Sequence, residues 1–280
     1  MKKKYLKQEI FYCIKTFFIS LFTAMPALWT IFLFSGLVTL YFSYDFDIYA
    51  RFGLKGVEFI TAKDSPAWTR DATVTIYLAN PILSFFSGLI FMFLLRFLKK
   101  KSNPVFWFLL WMTIFSFGNA FGVLIEEGIS KSGFYEVSKV LDLGIIVLII
   151  SVAVSLYLLY LSGIITGKLI LSAIDENYKK NGKLKTNMFL SLLLFPWLIN
   201  LAVFILLTRA TNMSQIIIFV MSLIIVLPVL WVYPSQVKDP GAKLPAAGNY
   251  LDIITLILMM ILAYTIYSAI KHGIELPVVW

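Results

Sequence analysis

The stretch LGIIVLIISVAVSLYLLYLSGIIT, residues 143–166, is almost entirely apolar. None of its 24 side chains is charged, and about 20 apolar residues are enough for a helix to cross the ~30 Å hydrocarbon core of a bilayer. Similar stretches recur along the chain and give seven predicted spans, near 16–42, 74–98, 105–125, 143–166, 188–208, 214–233 and 250–270. The sequence therefore predicts an all-α polytopic membrane helix bundle, formed as one integral membrane domain over residues 1–280.

The composition excludes a soluble protein. Of the 280 residues, 60% are hydrophobic and 14% are charged, whereas a soluble domain has about 25% charged residues. The formal charge of +9 is concentrated in short clusters between the apolar stretches. This distribution indicates orientation in a membrane and contact with membrane lipids, and it predicts no nucleic-acid partner.

Two of the apolar stretches are longer than one perpendicular span. The first carries Lys15 and Pro26, so we expect an interfacial lead-in from Phe11 followed by a kinked span, although Pro26 also permits a segment that enters and returns. In the fourth, we place the boundary near Thr166 because the Lys168 ammonium would extend toward the headgroups.

The positive charges predict the orientation. Sixteen Lys and Arg residues fall on the side of the N-terminus and eight on the other side. Since cytoplasmic loops retain positive charge, the N-terminus is predicted inside and the C-terminus outside. The first apolar run is too long for a cleaved signal peptide. Abundant Lys, Phe, Ile, Leu and Tyr favour a bacterial inner (cytoplasmic) membrane.

Three connecting segments invite an interpretation. Residues 43–73 mix both charge signs with aromatic residues, which predicts a cap lying on the membrane. Residues 126–142 predict a short interfacial helix, because apolar residues recur there at helical spacing. The inner loop 234–250 is rich in Pro and Gly, so we expect irregular structure that could contact a partner.

The chemistry-bearing residues exclude most membrane enzymes. One cysteine, Cys13, and one histidine, His272, cannot form a multi-histidine metal site or paired haem ligands. Asp142 and Asp252 are predicted at opposite membrane faces, so they cannot form an aspartyl protease pair. No glycine-rich nucleotide-binding loop is present. We therefore predict no catalytic residues, no metal site and no cofactor.

The candidate site residues are small or uncharged polar residues within the spans. Gly118 and Gly122 flank Asn119, and Gly163 and Gly167 repeat the four-residue spacing that lets helices approach closely. We interpret both pairs as helix packing, with a ligand or ion site as the alternative.

A second group combines prolines with amides. Asn80 precedes Pro81 in the second span, and Asn200 follows Pro196 in the fifth. Broken transporter helices use this combination to bind substrate, although prolines also kink ordinary membrane helices. Glu126 and Glu127 end the third span, where we interpret them as surface residues.

The run TIYLANPIL, residues 75–83, looks like the "L-A-G-P" helix of site-2-protease-like membrane proteins, with Asn80 in place of the glycine. Residues 133–143 and the run FPWLI, residues 195–199, are similar in placement to multi-span relatives of that group. The metal-binding helix of the family would fall near residues 31–42, which contain neither His nor Glu. The resemblance therefore implies a member without protease activity, and no metal ligand carries over.

Taken together, these observations favour a non-enzymatic subunit or accessory factor of a membrane protein complex, which binds other membrane proteins. A small-molecule or lipid transporter is the alternative, because Asn80, Asn119 and Asn200 are polar groups in the bundle. A third hypothesis is an enzyme that modifies lipids, using Glu126, Glu127 and the Arg and Lys residues of the first outer loop on a headgroup. The identity of the partner, any transported molecule and the oligomeric state stay open.

Overall fold

The protein is a bundle of long helices, seen in a computed structural model that describes residues 2–98, 104–173, 182–209, 213–230 and 250–276. Seven helical segments in these ranges are long and apolar enough to cross a membrane, which confirms the predicted fold class. The helices are α1 (Lys2–Asp45), α2 (Arg70–Phe97), α3 (Pro104–Ser130), α4 (Gly133–Val140), α5 (Gly144–Ala173), α6 (Gly182–Phe189), α7 (Phe195–Thr208), α8 (Met213–Met221), α9 (Leu223–Val226) and α10 (Tyr250–His272).

The first crossing differs from its prediction. Helix α1 is continuous over 44 residues, about 66 Å at 1.5 Å per residue, so there is neither a separate lead-in nor a segment that returns. Pro26 lies inside it. A membrane helix accommodates a proline because breaking the helix would expose more unsatisfied backbone groups to lipid.

Helix α3 is the centre of the bundle. Within its apolar window 83% of the residues are buried, against 17% in α5 and in α10. Helices α1, α2, α5 and α8 all pack against α3. The third crossing also extends beyond the predicted boundary at residue 125, as far as Ser130. Because of this extension, Glu126 and Glu127 belong to the central helix.

A small antiparallel sheet lies at one end of the bundle. Strands β1 (Ala50–Gly53) and β2 (Gly56–Phe59) form a hairpin, and β3 (Ile274–Glu275) pairs with β1 on its other side. We call this the sheet end. Since β3 directly follows α10, the chain reaches the same end after its first and its last described crossing. The prediction of residues 43–73 as a cap did not include strands.

The fifth crossing contains a π-helical turn, Leu190–Leu194, between α6 and α7. Pro196 has no N–H to donate to the Leu192 carbonyl, which an α-helix would require. The Ser20 hydroxyl on α1 donates to that carbonyl instead, and the Trp111 indole N–H on α3 donates to the Ser20 oxygen over 3.0 Å. Three crossings are thereby joined by hydrogen bonds in the bundle interior.

The remaining predicted segments compare as follows. Helix α4 occupies 133–140 within the segment predicted as a short helix. Helix α5 continues past Thr166 to Ala173. The sixth crossing comprises α8, α9 and a 3₁₀ turn, Leu227–Leu230. The predicted partner-contacting loop 234–250 lies outside the described residues, apart from Tyr250 at the start of α10.

Candidate ligand cavity at the sheet end

A cavity of about 320 Å³ opens at the sheet end of the bundle. Residues of α1, α2, α3 and α8, of the hairpin and of the start of α4 line it. The hairpin forms its roof: the Phe52 ring packs against Gly36 of α1 in a contact that leaves no room for a side chain there. Phe52 is fully buried, and its ring lies 5.1 Å from that of Phe32. The roof is therefore held on α1 by aromatic packing.

Two adjacent carboxylates line this cavity. Glu126 is only 4% exposed, and its Oε1 accepts a hydrogen bond of 2.9 Å from the Ser214 hydroxyl of α8. Glu127 Oε2 accepts a hydrogen bond of 2.7 Å from the backbone N–H of Phe134 in the first turn of α4. The interpretation of these residues as surface carboxylates is wrong, because α3 extends into a space enclosed by the hairpin, α4 and α8.

The two carboxylates make different contacts. Glu127 caps the N-terminus of α4 by accepting the Phe134 N–H, at a place where Ser132 makes no side-chain cap. Glu126 makes its one described hydrogen bond to Ser214, which leaves most of its acceptor capacity unused. Glu126 is therefore the carboxylate with free capacity for a ligand.

Basic residues lie at the exposed edge of the cavity. Lys55 lies in the hairpin turn, with its ammonium 4.0 Å from Glu58. Lys63 lines the cavity from the segment after β2 and is exposed. Within the described ranges, no carboxylate oxygen comes within ion-pair distance of Lys63. The cavity thus has the buried Glu126 and the half-buried Glu127 inside, and exposed lysines at its opening.

An amide cluster continues from the cavity into the bundle. Asn80 lines the cavity, and its Oδ1 accepts a 2.9 Å hydrogen bond from the Asn119 amide. The same Asn119 amide also donates to the Ser84 hydroxyl over 2.9 Å, and that hydroxyl donates to Asn80 Oδ1 over 3.2 Å. Two buried atoms, Asn119 Oδ1 and Ser116 Oγ, have no hydrogen-bond partner among the described residues. Such atoms are rare in native proteins and call for water or a ligand.

The structure brings only some of the predicted site residues to this cavity. Asn80 lines it, and the buried Pro81 follows Asn80 in α2. Asn119 lies next to Asn80, to which its amide donates a hydrogen bond. Asn200 is elsewhere: its amide donates to the Pro196 carbonyl of its own helix over 2.8 Å, so it carries no argument for a ligand.

The predicted glycines lie where helices approach closely. A Cβ on Gly118 would lie 2.9 Å from Ser222 Cβ, and one on Gly122 would lie 3.3 Å from the Ile218 side chain. At Gly163, a Cβ would approach the Ile225 carbonyl and the Pro228 ring. Gly167 is buried in α5. These contacts correspond to packing of α3 and α5 against the sixth crossing.

Sequence reasoning missed the hairpin residues and misjudged the exposure of Glu126. One signal was available: Gly53 and Gly56 flank a two-residue turn, with alternating residues before it. Among the described residues, no group of three or more His, Cys, Asp or Glu side chains is placed to hold a metal ion.

Neither a protein-family model nor a curated protein nor a solved structure matches this chain. The resemblance to site-2-protease-like proteins therefore stays a prediction, and the cavity itself is the basis for any functional argument.

Proposed function

We propose that the protein is a transporter that takes up a small polar molecule through the cavity at its sheet end. The observation that carries this proposal is the combination of charged groups in the cavity with a polar path leading inward from it. Charge bias predicts that the sheet end faces outward, so the cavity would receive its ligand from outside.

The polar path follows one face of α3. Ser116, Asn119 and Glu126 are spaced by three and seven residues, which places them on the same side of a helix. The ten residues from Glu126 to Ser116 span about 15 Å, half of the ~30 Å hydrocarbon core. Uncharged polar groups at mid-depth are expensive in a membrane unless they have partners. Unpartnered Asn119 Oδ1 and Ser116 Oγ support a path that admits water or solute.

An aromatic cluster packs beside the path and continues past its inner end, since Phe115 and Trp111 precede Ser116 in α3. The Phe219 ring of α8 stacks on Phe115 of α3 at 5.4 Å and on Trp197 of α7 at 5.3 Å. Phe115 in turn stacks on Trp111 at 5.3 Å. A transporter must be closed on one side when it is open on the other, and a cavity above a packed aromatic cluster fits that requirement.

Uptake into proteoliposomes tests the proposal. The purified protein is reconstituted and exposed to a ¹³C-labelled mixture of polar metabolites, with a sodium or proton gradient of either sign, and the liposome contents are measured by mass spectrometry. We expect at least one compound to enter faster than into protein-free liposomes. Asn119→Leu should reduce that rate about tenfold or more, because it removes the cluster at the cavity floor. The control Asn200→Leu should transport normally.

Entry of every compound at the protein-free rate under all gradients would refute transport. Accessibility provides a second test on a Cys13→Ser background. A membrane-impermeant cationic thiol reagent, added at the sheet end, should modify a Thr39→Cys variant rapidly and a Ser116→Cys variant more slowly. It should leave Ser162→Cys unmodified, because Ser162 is buried in α5 away from the cavity. Protection of both Thr39→Cys and Ser116→Cys would mean that the cavity is not open to solvent.

A lipid-modifying enzyme is the second candidate. It is favoured by one observation: Glu126, Glu127, Lys55 and Lys63, residues of the kinds that this hypothesis required, line the same cavity. Mass spectrometry of lipids incubated with the protein separates the two functions. An enzyme converts a headgroup and loses that activity in the Glu126→Gln variant, whereas a transporter leaves the lipids unchanged.

The subunit hypothesis stays a prediction. Its main structural counterpart is the large apolar surface of α5 and α10, where side chains such as Ile146, Ile149, Ile257 and Leu258 are exposed. Lipid covers such surfaces in a membrane helix bundle without any partner protein. These surfaces therefore give no reason to prefer a partner over lipid.

A further inference from the structure

The distribution of charge with depth in the cavity selects a class of ligand. Glu126 is 4% exposed and lies inside, whereas the Lys55 side chain is 66% exposed and Lys63 is also exposed at the opening. A buried carboxylate is unfavourable unless a positive charge or several hydrogen-bond donors compensate it. In the described part of the chain, no Lys, Arg or His side chain lies within 4.0 Å of the Glu126 carboxylate. A ligand of this cavity must therefore supply the positive charge or the hydrogen-bond donors that Glu126 lacks.

We infer that the cavity binds a small zwitterion, with its ammonium group at Glu126 and its anionic group at Lys63. This inference rests on the proposed ligand-binding role of the cavity. An ammonium group supplies a full positive charge and three N–H donors, for which Glu126 has acceptor positions beyond the one used by Ser214. Hydrogen bonds to charged groups are about twice as strong as neutral ones.

The lysines at the opening and the carboxylate inside disfavour ligands that carry only one kind of charge. A ligand with positive charge at both ends would be repelled by Lys55 and Lys63 at the opening, and a purely anionic ligand would be repelled by the Glu126 carboxylate inside. A zwitterion meets an opposite charge at each end. Repulsion between like charges disfavours the wrong ligands and is therefore an effective source of specificity.

The size and the polar lining limit the ligand further. The cavity, at about 320 Å³, lies at the lower end of the ~300–1,000 Å³ range of ligand pockets. Ser35, Thr39 and Tyr77 contribute hydroxyl groups to its walls, so the part between the two charges can be polar. A short amino acid and a phosphoethanolamine group both satisfy these requirements. The second can come from a free solute or from a lipid headgroup.

Binding to the full-length protein in an uncharged detergent tests the inference. The probes are two zwitterions, phosphoethanolamine and β-alanine, and two single-charge analogues, ethanolamine and ethyl phosphate. We expect a zwitterion to bind about tenfold or more tightly than either analogue, because two charge-assisted contacts form instead of one. Equal affinity for a zwitterion and an analogue, or no binding of any probe, would overturn the inference.

Matched variants assign the two ends. Glu126→Gln should weaken the binding of the zwitterion and of ethanolamine about tenfold. Lys63→Met should weaken the binding of the zwitterion and leave the affinity for ethanolamine unchanged. Glu136→Gln and Lys131→Met change the same residue types at the sheet end outside the cavity, so they should bind like the unaltered protein. Unchanged zwitterion affinity in Glu126→Gln or in Lys63→Met would contradict the assigned orientation.

The rate of thiol modification at position 39 provides a second test, which does not depend on folding of the Glu126→Gln variant. In the Cys13→Ser, Thr39→Cys variant, a cationic thiol reagent should react faster than an anionic reagent of the same size, compared with their rates on a free thiol. Phosphoethanolamine should slow the reaction. Equal relative rates would refute a negative interior, while reaction with both reagents would still leave the open cavity of the proposed transporter intact.

Nanodiscs distinguish the source of the ligand. In discs of phosphatidylglycerol alone, free phosphoethanolamine should protect the cysteine at position 39. If adding phosphatidylethanolamine to the discs protects it without free ligand, the zwitterion is a lipid headgroup. If only the free compound protects, the ligand is a solute. Absence of protection in both arms would overturn the inference.

Discussion

Gly133 shows how a single residue holds the cavity wall in place. Its φ is +30°, a conformation that favours glycine, and a Cβ at this position would overlap the Glu127 carboxyl group. Because Glu127 caps α4 through Phe134, a side chain at 133 would disturb the cap, the carboxylate and the cavity together.

Gly133→Ala should therefore lower the free energy of unfolding by about 1–3 kcal/mol, measured by denaturation in detergent. Gly144→Ala is the matched control, since Gly144 has a φ of +70° but no neighbouring atom within 4 Å of a Cβ. We expect it to cost only the backbone strain, about 1 kcal/mol. Equal losses of unfolding free energy at the two positions would mean that Glu127 moves away from the new Cβ without destabilising the protein.

At the scale of the elements, the π-helical turn and Pro196 require help from outside their own helix. The Ser20 hydroxyl of the first crossing donates a hydrogen bond to the Leu192 carbonyl of the fifth crossing, and its oxygen accepts a hydrogen bond from the Trp111 indole N–H. Thr23, one turn further along α1, instead donates to the carbonyls of Ile19 and Ser20 in its own helix. Two buried hydroxyls on one helix therefore serve different purposes.

Ser20→Ala should destabilise the protein by about 1–3 kcal/mol, because it leaves two buried polar groups without a partner. Thr23→Val removes an intrahelical bond, so we expect a smaller loss. Replacing Pro196 by Ala restores a backbone N–H, and the cost of Ser20→Ala should shrink in the Pro196→Ala background. A double-mutant cycle measures this coupling. Strict additivity would show that Pro196 is not the reason for the Ser20 bond.

At the scale of the whole molecule, the orientation in the membrane remains a prediction. Charge bias places the N-terminus inside, which puts the cavity outside. A reporter that is active only outside the cytoplasmic membrane should be active when fused after Trp280 and inactive when fused after Lys101. The opposite pattern would place the cavity in the cytoplasm and reverse the direction of the proposed transport.

The sequence predicts the crossings well because each depends on local composition. Every predicted span overlaps a membrane-length helix, with differences at the ends such as the extension of α3 to Ser130. The cavity depends on contacts between distant segments. Glu126 looks exposed in sequence because it follows an apolar run, but it is buried because α8 and the hairpin pack around it. The sheet depends on a pairing between residues 51–52 and 274–275, which local patterns do not encode.

That pairing has a consequence for synthesis. The partner of β1 in β3 lies more than two hundred residues downstream, and Arg51 contacts both the Glu275 carboxylate and the His272 carbonyl. Because a chain is synthesised from its N-terminal side, β1 and β2 can pair with each other before the seventh crossing and β3 have been made. Pairing with β3 then adds to the aromatic packing that holds the hairpin on α1. In a nascent chain, the edge of β1 that pairs with β3 therefore has no strand partner until the seventh crossing has been made.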